Sequence, residues 1–195
     1  MSFFEPLPPV PPEPSRAWSP PLWDRPSEGT LGVVVPVGEI VHRNDDTVAA
    51  IDYVRAYPNG FTLTIGIHTN PRDDGSAGAT ALLRVGGGRA AHAERFPRVG
   101  IRFSDGRTAG RTATGGPHDT PRDADGIPTE PIIQMMGGGG GAHSYRFDFW
   151  VFPLPPDGPV EIFVALPAVG EDEVRVVVDG GTIRDAATRA VVVWG

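Results

Sequence analysis

The sequence predicts an all-β protein: an antiparallel β-sandwich of immunoglobulin-like or jelly-roll-like type, with a Pro-rich N-terminal arm and one short C-terminal helix. Three observations carry that expectation. Short runs of aromatic and β-branched residues recur from Leu31 onward, and such side chains suit a pleated surface. Clusters of Gly, Pro, Asn and Asp separate them, and these residues supply the fixed or positive φ that turns need. Helical spacing occurs at one place, where Ile183, Ala186, Ala187 and Ala190 fall at i, i+3, i+4 and i+7. Many short strands with almost no helix indicate two packed sheets.

Residues 1–29 form the arm, and residues 30–195 a single sandwich domain. Nine of the 22 prolines fall between Pro6 and Pro26, which favours extended or polyproline II chain. Phe3, Phe4, Leu7, Trp18, Leu22 and Trp23 interrupt the prolines, more apolar bulk than a solvated tail carries. The arm is therefore expected to pack on the body or across a homodimer, burying Trp18 and Trp23.

The body reads as follows. Gly32–Val37 is a short apolar strand whose Pro36 marks an edge or a bulge. Thr47–Tyr57 and Phe61–Thr69 flank Pro58-Asn59-Gly60, a hairpin signal. Within the second arm of that hairpin Phe61, Leu63, Ile65 and Ile67 face one way, and Thr62, Thr64, Gly66 and His68 the other. A polar loop from Asn70 leads to a strand at Ala81–Val85. Arg98–Phe103 alternates, with Val99, Ile101 and Phe103 inward, and Asp105-Gly106 turns the chain. Residues 112–130 are loop, Ile132–Met136 a short strand, and Gly137–Gly141 a flexible connection. Ser144–Phe152 and Val160–Leu166 then read as a hairpin around Pro153–Pro159. Tyr145, Phe147, Phe149 and Val151 point one way, Trp150 and Phe152 the other. A strand apolar on both sides requires cover on both faces. Val174–Val178, the short helix and an extended Val191–Trp194 complete the chain.

Composition excludes several chemistries. There is no cysteine, hence no disulfide, thiolate catalysis or Cys-based metal site. All 17 basic residues are arginine, which removes Schiff-base and P-loop lysines. No run approaches a membrane span and no secretory leader opens the chain, so the expectation is a cytoplasmic protein without a membrane partner. A net charge of −7 disfavours nucleic acid. The eight arginines from Arg84 to Arg122 face only Glu94, Asp105 and Asp119, and read as a solvated strand face.

Candidate motifs are weak by spacing. Gly86–Ala91 matches a loose G-x-G-x-x-A but lacks the βαβ unit that would place a pyrophosphate on a helix N-terminus. Asp74–Gly78 lacks the first glycine of a nucleophile elbow, and His143-Ser144 are neighbours whose side chains diverge on a strand. His118, Asp119, Asp123 and Asp125 form the best metal candidate, since a hard cation takes several carboxylate oxygens from a flexible loop. Asx turns are the competing use of these Asp residues.

Four blocks, Leu31–Val37, Val54–Leu63, Phe149–Pro159 and Val178–Ala187, resemble a set of uncharacterised β-sandwich proteins encoded by high-GC actinobacteria. The resemblance covers most of the chain beyond the arm and implies no activity. It departs at Thr182–Arg189, where those proteins are richer in Leu and Ala.

The leading functional expectation is a non-enzymatic binding or structural module with a protein partner or a second copy, using Trp18, Trp23, Trp150 and Phe163 for interaction and no cofactor. The competing expectation is a metal-dependent binder or enzyme, Ca2+ being the cation, built on the 112–130 loop.

Overall fold

The computed structural model describes residues 20–72, 96–110 and 120–194. In chain order the strands are β1 (Thr30–Leu31), β2 (Val33–Arg43), β3 (Thr47–Tyr57), β4 (Gly60–Thr69), β5 (Arg98–Arg102), β6 (Thr108–Gly110), β7 (Ile132–Gly140), β8 (Ser144–Phe152), β9 (Pro159–Leu166), β10 (Glu171–Asp179) and β11 (Val191–Val192). Among the described residues one α-helix, α1, spans Gly180–Thr188. All strand pairs among the described residues are antiparallel. A five-stranded sheet runs β2-β3-β4-β8-β7 and a four-stranded sheet β10-β9-β5-β6, with β1-β11 as a separate two-stranded ribbon. The protein is an antiparallel β-sandwich.

The core follows from period-2 alternation. Phe61, Leu63, Ile65 and Ile67 of β4 and Phe147, Phe149 and Val151 of β8 meet Val99 and Ile101 of β5 and Val160, Ile162 and Val164 of β9, all essentially water-free. Fully burying each such side chain contributes about 1.5–3 kcal/mol. The helix seals the same core with Ile183, Ala186 and Ala187. Its first turn is capped by Asp179, which accepts hydrogen bonds from the Thr182 amide and hydroxyl at 2.8 Å each. These bonds hold the Asp179 carboxyl below the ordinary aspartate range.

Two expectations are corrected. Ser144–Phe152 and Val160–Leu166 are not a hairpin: β8 and β9 lie in different sheets, and Pro153–Gly158 is the crossing between them. Both edges of β8 are taken by β4 and β7, while Pro153, Pro155 and Pro156 lack the amides a ladder requires. Second, Gly137–Gly140 is not a loose connection but the end of strand β7, paired with Asp148 to Tyr145. Glycine is what allows it. A Cβ at Gly138 would lie 2.8 Å from the Arg146 carbonyl, and one at Gly140 2.0 Å from that of Ser144. Pro36 does lie on an edge strand, with a bulge immediately after it. The expected strand at Ala81–Val85 and the Gly86–Ala91 turn lie outside the described residues.

Candidate functional site

The core-facing set on β4 leaves Thr62, Thr64, Gly66 and His68 on the outer face of the five-stranded sheet. Register brings Trp150, Asp148, Arg146 and Ser144 of β8 opposite them, in that order. This outer face divides into an aromatic half and a polar half.

The aromatic half is covered by residues 20–29, which run across it as a strap. Trp150 is fully buried although its ring points away from the core, and Trp23 is 4% exposed. Trp150 Nε1 donates to the Trp23 carbonyl at 2.8 Å, and Tyr57 meets the Trp150 ring edge-on with centroids 6.0 Å apart. Arg122 stacks on Trp23 with its guanidinium carbon 4.2 Å from a ring centroid. Asn59, in the β3–β4 turn, clamps the strap backbone: its amide donates to the Leu22 and Arg25 carbonyls and its oxygen accepts from the Ser27 amide. Gln134 of β7 donates to the Asp24 carbonyl. The second apolar side of β8 thus receives its cover from the strap.

The polar half centres on Gly66. Strand β3 carries a bulge between Ile51 and Tyr53, so Asp52 is an extra residue on the outer side. Its carboxylate leans over β4: a Cβ at Gly66 would stand 2.7 and 3.0 Å from the two carboxylate oxygens and 3.0 Å from His68 Nε2. Asp52 and His68 therefore converge on one point above a bare stretch of backbone. Beside them, Thr64 donates to Asp148 Oδ1 at 2.6 Å, and Arg146 stands opposite Gly66. Among the described residues no hydrogen bond or ion pair engages the side chains of Asp52, His68, Ser144 or Arg146, whereas Glu161 on the other sheet is held by both Arg102 and Arg175. The hydrogen bond from Arg102, then the charges of both arginines, hold the Glu161 carboxyl below its ordinary range against the opposing effect of desolvation.

The residues expected from sequence separate into three groups. Trp23 and Trp150 meet each other under the strap. Phe163 lies on the outer side of the four-stranded sheet beneath Arg102, 5.3 Å from guanidinium carbon to ring centroid. Trp18, His118 and Asp119 lie outside the described residues. Asp123 Oδ1 accepts from the amides of Asp125 and Ile127, both at 2.9 Å, so this carboxylate organises its own turn. Among the described residues no three His, Asp or Glu side chains gather as a metal set.

The ribbon is the remaining notable surface. Thr30 pairs with Val192 and Leu31 with Val191, and the Val193 amide donates to the Gly29 carbonyl at 2.7 Å. Leu31, Val191, Val192, Val193 and Trp194 are all exposed, Trp194 to 79%. Comparison of the chain with family models, curated proteins and solved structures returned no match. No described helix is long and apolar enough to cross a membrane.

Sequence reasoning missed the Asp52–His68–Arg146 grouping. The alternation of β4 had placed His68 and Gly66 outward, but the partners come from strands distant in sequence, and Asp52 from a bulge that no special residue announces.

Proposed function

We propose that this chain is a non-enzymatic interaction module that uses the β1–β11 ribbon to bind a protein, a second copy of itself being the partner that fits. The observation that carries the reading is the exposure of four large apolar side chains on this short ribbon, Leu31 and its cross-strand partner Val191 on one face, Val192 on the other and Trp194 just beyond it. Large apolar side chains left exposed together on one short element mark interaction sites, and tryptophan is among the side chains that dominate them. The backbone beneath is already paired, so the anchors are preorganised and little ordering is needed on binding. A two-fold contact would bring the same patch from each copy together.

Light scattering coupled to size exclusion over a concentration series tests this. The expected result is a concentration-dependent dimer that Val192→Asp abolishes without lowering the monomer's melting temperature. A wild-type chain that stays monomeric throughout refutes self-association through the ribbon.

A further inference from the structure

The polar half of the five-stranded sheet is remote in kind from the apolar ribbon and stands on separate observations. We infer that it is a binding site for a neutral polyhydroxylated ligand of the carbohydrate class, held between Asp52, His68, Arg146 and Ser144.

Two features indicate a built site. The first is a group of hydrogen-bonding side chains, Asp52 half-buried and His68, Ser144 and Arg146 exposed, that are engaged by no other described side chain and are open to a ligand. Asp52 and Arg146 flank the same residue, Gly66, yet form no ion pair. Elsewhere on this chain neighbouring opposite charges do close, as in Arg107–Asp105 and Arg184–Asp157. The second is the glycine pattern of β7. Gly138 and Gly140 face inward and are required by close backbone contacts, but Gly137 and Gly139 are not. Neither has positive φ, and a Cβ on either would meet nothing within 4 Å. Glycine in a strand costs stability through lost backbone freedom and missing side-chain packing. Here it leaves a bare shelf beside Asp148 and Arg146, because Gly137 pairs with Asp148 and Gly139 with Arg146. A shelf of this kind permits close approach of a ligand to the backbone.

Chemistry selects the class. A divalent cation would lack a third His, Asp or Glu ligand among the described residues. An anion drawn to Arg146 would face Asp52 and Asp148, and an organic cation drawn to those carboxylates would face Arg146. Adjacent hydroxyls satisfy all of them together: each donates to a carboxylate and accepts from the guanidinium, His68 or Ser144. Hydrogen bonds with one charged partner are the stronger kind.

The test is a titration of the full chain with soluble neutral oligosaccharides, read by backbone amide shifts. The expected result is saturable shifts confined to 64–68, 137–140 and 144–148. Gly139→Val fills the shelf with a residue that suits a strand and has open space, so its melting temperature should hold or rise while sugar affinity drops. Arg146→Ala should weaken binding about tenfold, the worth of one charge-assisted hydrogen bond. No saturation by any oligosaccharide, saturation at these residues by inorganic phosphate or a free amino acid instead, or wild-type affinity in Gly139→Val would each overturn the inference.

Discussion

Replacing Trp23 by alanine tests whether the strap is part of the folded body. Truncating a buried tryptophan costs about 3–5 kcal/mol when the surroundings hold their shape. The strap can instead peel away and let water fill its place, so the lower end applies, about 3 kcal/mol. The stacking of Arg122 on the ring lies within that figure, since it disappears with the same side chain. For a chain of this size 1 kcal/mol moves the melting temperature by about 2–4 °C, which gives a drop of about 6–12 °C. Circular dichroism should record the drop, and fluorescence should show Trp150 shifting red as its outer side becomes wet. Asn59→Ala supplies the control. Asn59 stabilises the strap through three backbone bonds, so its loss should be costly alone and nearly free once Trp23 is gone. If Trp23→Ala melts with the wild type and Trp150 emission is unchanged, the strap does not contribute to stability and does not cover the outer side of β8.

Two further outcomes follow from side chains on the other layers. His42 of β2 and Glu171 of β10 join the two sheets through a 3.1 Å contact, and His42 Nε2 is buried with no hydrogen-bond partner among the described residues. Glu171→Ala would leave Nδ1 unpaired too, and should lower stability by about 1–3 kcal/mol in urea unfolding; no change would show the contact to be idle. Acid sensitivity should depend on Glu161. Its pKa is lowered on folding, so the unfolded chain binds more protons and stability rises with pH. The contribution is complete above the ordinary glutamate value of 4.5 and is lost as pH falls through the lowered folded value. Melting curves taken from neutral into acid should be less steep for Glu161→Gln, and superimposable curves would refute the assignment.

Sequence legibility varied with how local the deciding interaction is. The 61–69 strand was readable because one side is apolar and the other polar over its whole length, and its hairpin because Asn59-Gly60 fixes a short turn. Burial of Trp23 followed from bulk in an otherwise Pro-rich segment. The crossing from β8 to β9 was not readable. Pro, Asp and Gly serve a hairpin and a sheet-to-sheet crossing equally, and what decides is whether β8 has a free edge, a property of the assembled sheet. The run Gly137–Gly140 failed for a related reason: strand propensity disfavours glycine, but the inner two positions are too crowded for anything else. The polar grouping around Gly66 depends on register between strands that lie far apart in sequence, together with one bulge.

The strap and the polar half also bear on each other through β8. A one-residue slip of that strand would turn Arg146 and Asp148 into the core and Phe147 outward. The inner side resists this through the burial of Phe147 and Phe149, the outer side through Trp150, whose indole is tied to the Trp23 carbonyl. Gln134 ties β7 to the same strap segment at the Asp24 carbonyl, so the two strands that carry Arg146, Asp148 and the glycine shelf share one anchor. Loosening the strap should therefore blur the spacing between Arg146 and Gly139 without touching either. Apolar packing at one end of the face thus holds the hydrogen-bonding geometry at the other, and this gives the proline-stiffened, tryptophan-bearing segment a role beyond covering Trp150.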